Sequence, residues 1–390
     1  MGGAGVSRMQ PRAPRGTVRP ITVVLEGGGS LGAFTWGVLD RLVDVPELRI
    51  EVVGGTSAGA INAAMLVQGL ATGRPEAAKR LLETFWRRVA IASGSLPGFA
   101  GAWLRAVGGA SASMVDALRR TGTAWSPAPG RSAANPLRGI LAELLNTPAF
   151  GGPGVPALVV AATRVRTGEA RLFRDAEVTV DALLASACLP QLFPAVEIGG
   201  EAYWDGGYAS NPPLRALIEA GAPSDVLVVR TTPLERPKMP SGAASIQNRA
   251  DEITFGAALR QELRSLGLVQ EALADASSLP EPLARLRDAR VHMIGAEEEF
   301  QALHGGSVQD PSWGFLSEMR DLGHAAADRW LEENLPAVGS CSTLDLAPFA
   351  GPTIKGGFGR PAVSGAASSH SLGLIDRAVL GHGRCAAARV

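Results

Sequence analysis

The feature that most constrains this chain is Gly55-Thr56-Ser57-Ala58-Gly59, because two stretches of different periodicity flank it. Ile50-Glu51-Val52-Val53 reads as a short buried strand, and Ala60-Ile61-Asn62-Ala63-Ala64-Met65-Leu66-Val67 reads as a helix. A Gly-x-Ser-x-Gly turn between strand and helix is tight and strained, so the flanking Gly55 and Gly59 are required and the Ser57 hydroxyl is pushed outward. The helix N-terminus behind that hydroxyl favours the negative charge that develops in acyl transfer. In a chain with 48 glycines the pentapeptide arises easily by chance, so the strand and helix around it make Ser57 a nucleophile rather than part of a structural turn.

A second glycine-rich turn precedes the first. Met1 to Pro20 carries Arg8, Arg12, Arg15 and Arg19 among Gly and Pro, has no signal-peptide core, and reads as a disordered arm. Ile21-Thr22-Val23-Val24-Leu25 then reads as a strand that breaks into Gly27-Gly28-Gly29-Ser30-Leu31-Gly32. Phe34, Val38, Leu39, Leu42 and Val43 follow at helical spacing. This loop also fits the dinucleotide-binding fingerprint, which needs an acidic residue about 20 residues on, at the end of the next strand. That strand runs instead through Val53-Gly54 into the serine turn, which disfavours a nucleotide. The other use of such a loop is to aim backbone N–H groups at an oxyanion.

Beyond the elbow, Pro75 opens a helix through Val89. Residues 93–135 are rich in Gly, Ala, Ser and Pro, with scattered Trp103, Leu104, Val107, Met114 and Trp125, and read as either a lid or lipid-contact insertion or an ordinary helical excursion. Ala157 to Ala162 and Asp225 to Arg230 read as strands, with a helix around Asp181 to Leu189 between them. Asp205 follows a short strand and precedes Gly206 and Gly207, which suits a carboxylate held in a tight turn. Asn211 then reads as the cap of a helix starting at Pro212. A further strand at Arg290 to Ile294 and helices over Asp251 to Ala274 and Trp313 to Leu335 complete one domain over 21–335, with a mostly disordered tail over 336–390. Strands alternating with helices predict a three-layer α/β/α fold around a mostly parallel sheet, with both glycine turns at the carboxyl ends of strands.

Composition narrows the partners. Thirty-seven basic and 37 acidic residues give a formal charge of zero, which argues against nucleic acid. No stretch approaches the roughly 20 apolar residues of a membrane span, so any membrane contact is expected to be peripheral. Cys188, Cys341 and Cys385 are odd in number and widely spaced, which points to a reducing compartment, and no His, Cys, Asp and Glu cluster has metal-ligand spacing.

A serine hydroxyl needs a base within hydrogen-bond reach. Two candidates remain open from the residues alone. Asp205 is one, a weak base that partial burial beside Trp204 would strengthen, unless it serves only as a turn former. His304, in a loop before Gly305-Gly306, is the other, since serine, acid and histidine in that order is the α/β-hydrolase arrangement.

Taken together and in order, Glu26-Gly27-Gly28-Gly29-Ser30-Leu31-Gly32, Gly55-Thr56-Ser57-Ala58-Gly59 and Asp205-Gly206-Gly207 resemble the three signature blocks of patatin-like phospholipases. Ala185-Ser186-Ala187-Cys188-Leu189-Pro190 with Phe193-Pro194 resembles the family too. The resemblance implies Ser57 as nucleophile, Asp205 as its only catalytic partner, and the backbone of Gly27, Gly28 and Gly29 as the oxyanion hole. No histidine and no cofactor would take part. It further implies a hydrolase of phospholipid or other lipid esters, and with the reducing compartment read from the cysteines the expected location is the cytoplasm, peripheral at membranes. Leu31 departs from the Arg or Lys that many members carry there, which keeps a weakly active protein binding a lipid or storage-granule surface as the alternative.

Overall fold

The computed structural model describes residues 18–95, 135–190, 193–303 and 310–351. Strand β1 (Arg19–Leu25) passes through the first glycine loop into helix α1 (Gly32–Leu42). β2 (Leu48–Thr56) passes through the serine turn into α2 (Ala58–Leu70), followed by α3 (Pro75–Ser95) and α4 (Leu137–Leu144). β3 (Ala157–Arg164), β4 (Ala170–Arg174) and α5 (Val180–Ser186) lead to a hairpin of β5 (Val196–Ile198) and β6 (Glu201–Asp205). Then come α6 (Leu214–Glu219), β7 (Asp225–Val229), α7 (Ala243–Ala272), α8 (Glu281–Asp288), β8 (Arg290–Ile294), α9 (Glu297–Ala302) and α10 (Trp313–Asn334). Most of the expected lid insertion, over 96–134, lies outside the described residues, as do His304 and the chain beyond Gly351.

The eight strands form one mixed sheet in the order β5-β6-β3-β2-β1-β7-β8, with β4 pairing β3. Its centre, β3-β2-β1-β7-β8, is parallel, while β4, β5 and β6 run antiparallel to their neighbours. Parallel strands covered on both faces read as continuous apolar runs. In β1, Ile21, Val23 and Leu25 enter one core with Phe34, Ile61, Trp86 and Trp330, whereas Val24 enters the opposite core with Leu217, Leu263 and Leu286. The period-two alternation of a strand thereby builds the three-layer fold.

Three elements differ from the sequence reading. α7 starts at Ala243 rather than Asp251, because its first turns carry polar residues and the exposed Ile246 and give no apolar stripe to read. α6 starts at Leu214, after the pair Pro212-Pro213, and the Asn211 side chain leaves it uncapped. Instead, Glu262 of α7 accepts from the Arg215 N–H at 2.8 Å. The packed chain also continues past the expected boundary at Leu335. Val338 is fully buried, and Leu344, Leu346 and Phe349 lie against the second core. Cys188 is a free buried thiol, whereas Cys341 is disulfide-bonded, which does not fit the reducing compartment expected from the cysteine pattern.

One buried carboxylate holds that C-terminal segment. Asp225, at the start of β7, accepts two bonds from Arg290 at 3.0 and 2.7 Å, one from Gly339 N–H at 2.7 Å, and lies 3.2 Å from His292 Nε2. Burial opposes its charge, but the His292, Arg290 and Gly339 donors outweigh it and hold its pKa down to about 2. Removing one partner of such a cluster costs roughly 3 kcal/mol. Asp225→Asn is therefore expected to lower the melting temperature by about 5 °C or more in differential scanning fluorimetry at pH 7. An unchanged midpoint would show that the cluster does not hold the segment.

Candidate active site

The strand register brings the chemistry to one edge of the sheet. Leu25 pairs with both Gly55 and Val229, Thr56 with Ala161, and Ala162 with Asp205. The first glycine loop, the serine turn, the end of β6 and Thr231-Thr232 therefore emerge side by side at the carboxyl ends of the parallel strands.

Ser57 occupies the turn before α2 with φ 55° and ψ −124°. Among the described residues, only it and Asp175 are non-glycine residues at positive φ. That conformation is sterically costly and persists only where the surroundings over-determine it. The Ser57 N–H donates to the buried Ser186 Oγ at 2.9 Å, and Thr56 Oγ1 donates to the Ser210 carbonyl at 2.8 Å. A Cβ at Gly55 would lie 2.6 Å from the Gly59 carbonyl carbon, and one at Gly59 would collide with the Leu25 carbonyl oxygen. Gly32 meets the elbow from the other side, its Cβ position 2.8 Å from Ala58 Cβ. The elbow is thus wedged against the end of β1 by backbone contact alone.

Asp205 ends β6 and is almost wholly buried. Its Oδ1 accepts the Gly207 N–H at 2.7 Å, and the nearby Ser57 side chain acts to lower its pKa. Its backbone is pinned as well, with its N–H on the Cys188 carbonyl at 2.7 Å and its carbonyl accepting from Thr163 Oγ1 at 2.8 Å. Gly206 and Gly207 sit where side chains would strike the Ala161 carbonyl and the Phe255 ring. Burial pushes the Asp205 pKa up to about 7 against the lowering effect of the Gly207 and Ser57 hydrogen bonds. The expected role of Trp204 in that burial does not hold. Adjacent strand residues face opposite ways, and Trp204 packs with Cys188 and Phe193.

The glycine loop lies over this pair. A Cβ at Gly27 would be 2.8 Å from Ser57 Cβ, so only glycine brings the loop this close. The Gly27 N–H donates to Asn211 Oδ1 at 2.7 Å and is already occupied. Among the described residues, the N–H groups of Gly28, Gly29 and Ala58 have no protein acceptor. The loop is anchored by Glu26, which accepts from the N–H groups of Thr231 at 2.7 Å and Thr232 at 3.0 Å and from Thr232 Oγ1 at 2.9 Å. Burial raises the Glu26 pKa, and the charge of Arg230, itself paired to Glu297 at 2.6 Å, opposes that rise.

Ser57 and Asp205 open onto a cavity of about 130 Å³ whose apolar wall includes Leu31, Ile61, Phe85 and Trp86. Leu31 is buried there among apolar neighbours, which suits an uncharged side chain. Sequence reasoning passed over Ser186 as a functional residue and assigned Asn211 to a helix cap; both act over long sequence separations and show no local periodicity. No described histidine lines the cavity. His292 is held by Asp225 and Thr343, His324 pairs with Asp40 at 3.4 Å, and His304 lies outside the described residues. Among the described residues, no three His, Cys, Asp or Glu side chains are grouped to hold a metal. Cys188 is no nucleophile, since burial, and secondarily the Asp205 charge, pushes its thiol up to about 12.

The family model for Patatin-like phospholipase matches residues 23–218, half of the chain, from β1 through all three glycine motifs. The chain belongs to the patatin-like phospholipase family. Lipid acyl hydrolysis is the general activity of this family. Among solved structures, the chain is similar to VipD from Legionella pneumophila, at 16% identity and a TM-score of 0.36, over 82% of this chain and 67% of that one. No curated protein matches the sequence.

The raised Asp205 pKa has a stability consequence. A carboxyl with a pKa of 3.8 unfolded and about 7 folded keeps its proton longer in the folded state, so stability falls as pH rises through that window. The upper bound is on the order of 4 kcal/mol. Asp205→Asn removes this penalty and keeps the Gly207 bond. Its melting temperature is expected to exceed that of the wild type at pH 8 and to match it closely at pH 4. An equal difference at both pH values would mean the carboxyl is not titrating in this way.

Proposed function

We propose that this patatin-like protein hydrolyses acyl esters of phospholipids or other lipids through a Ser57–Asp205 dyad and an acyl-serine intermediate. The observation that carries the reading is that Ser57, at a strained elbow, shares one cavity with the buried Asp205 carboxylate, whose pKa burial pushes up to about 7. At neutral pH such a carboxylate is a far better base than one at its ordinary value.

In acylation, Ser57 Oγ attacks the ester carbonyl carbon while Asp205 takes the hydroxyl proton. The carbonyl oxygen becomes an oxyanion facing the Gly28 and Gly29 N–H groups and the start of α2. Collapse breaks the ester C–O bond, and the leaving alcohol takes the proton from Asp205. In deacylation, water loses a proton to Asp205 and attacks the acyl-serine. Ser57 leaves as the alcohol, recovers the proton, and a fatty acid departs. The apolar wall of Leu31, Ile61, Phe85 and Trp86 supports an acyl chain as the occupant.

Among the described residues, no helix is long and apolar enough to cross a membrane. Met239, Ile246 and Ile253, exposed before and along the first turns of α7, support a peripheral approach to a lipid surface. The apolar fit of Leu31 supports turnover over the weakly active binding alternative. Without a cation at that position, stabilisation rests on backbone N–H groups and the helix terminus.

Two measurements test this. Fluorophosphonate labelling and release of p-nitrophenol from medium-chain esters are expected for the wild type, with Ser57→Ala unlabelled and kcat lowered at least about 10³-fold in both Ser57→Ala and Asp205→Asn. If Ser57→Ala turns over ester as the wild type does, the dyad is wrong. The kcat/KM profile is expected to rise with pH through about 7 and then level, because the base must be ionised. A profile flat from pH 5 to 9 would remove Asp205 from that role.

A further inference from the structure

We propose that Asn211 is a positioning residue for the oxyanion loop, and that the oxyanion is received by the Gly28 and Gly29 N–H groups while Asn211 holds Gly27. The inference rests on the hydrolase reading above and assigns the division of labour within its glycine loop.

Asn211 is 1% exposed and six residues past Asp205. Its amide is used at both ends. Oδ1 accepts the Gly27 N–H at 2.7 Å, and Nδ2 donates to the Phe255 carbonyl of α7 at 3.1 Å. One side chain therefore ties together the glycine loop, the segment following the dyad carboxylate and the helix that walls the cavity. Helix capping does not account for it, since neither amide atom bonds a backbone group of α6.

Peptide geometry turns this contact into a statement about the oxyanion. In a trans peptide the C=O and the next N–H point in opposite directions. The Gly27 carbonyl accepts from Thr231 Oγ1 at 3.3 Å, so the Gly28 N–H in the same peptide plane points away from Thr231. The Gly28 carbonyl accepts from the Leu31 N–H at 3.1 Å, which fixes the plane carrying the Gly29 N–H. Asn211 fixes the plane before these, between Glu26 and Gly27. Three consecutive peptide planes in a row of glycines, the freest of backbones, are each held by one bond. Without Asn211 the first plane loses its side-chain bond and leaves a buried N–H unpaired beside the nucleophile.

The test uses the full chain. In Asn211→Ala, kcat for a p-nitrophenyl ester is expected to fall about 10- to 100-fold with KM within about twofold, because a misplaced oxyanion loop is felt in the transition state and not in ground-state binding. With glycine selectively labelled with ¹⁵N, amide exchange at Gly27 is expected to be slow in the wild type and at least about tenfold faster in Asn211→Ala. Gly28 and Gly29 should exchange rapidly in both. Glu219→Ala, which loses an exposed 2.7 Å contact to Arg215 on the helix that follows this segment without touching Gly27, controls for general loosening of this region and should change neither quantity. If Asn211→Ala keeps wild-type kcat while Ser57→Ala is dead, the positioning role is wrong and the hydrolase reading stands. If Gly27 exchanges as fast as Gly28 in the wild type, the role is also wrong. If Ser57→Ala is as active as the wild type, both fall together.

Discussion

Backbone meets backbone at one edge of this sheet with no space for side chains between, and the site depends on that steric constraint. Gly59 lies against the end of β1, Gly27 against Ser57, and Gly206 against β3. These contacts bring three loops from different parts of the chain close enough for one hydroxyl, one carboxylate and a row of N–H groups to share a cavity. The parallel register supplies the coarse alignment, and the glycines allow the final approach.

Electrostatics follow from the same closeness. Asp205 is buried because the loops close over it, and burial raises its pKa towards neutrality while the Ser57 and Gly207 donors temper the rise. The carboxylate that opens the glycine loop behaves differently. Glu26 is equally buried, but it receives Thr231 and Thr232 donors and the field of Arg230, and so serves as an anchor. The two buried acids differ in what surrounds them and therefore in what they can do.

Much of this was legible in the residues. Gly-Thr-Ser-Ala-Gly between an apolar strand and an apolar helix located the elbow, and the alternation of strands with helices gave the layered fold. The antiparallel edge was less legible, because β4 and β5 are short and only partly buried and carry little pattern. Asn211 was misassigned for a clear reason. An Asn ahead of two prolines looks like a cap in one dimension, while its partners lie 184 and 44 residues away. Ser186 offered even less signal, since its bond to the Ser57 N–H spans 129 residues.

The sequence by itself determined the serine turn, the glycines that let backbones close on it, and the apolar runs that place them on strand ends, because each of these is a local property of spacing and side-chain size. Only the tertiary structure decided how Asp205 shares a cavity with that serine, how strongly burial raises its pKa, and which glycine N–H is already taken. Those depend on strand register and on desolvation by distant residues, and no local pattern encodes either.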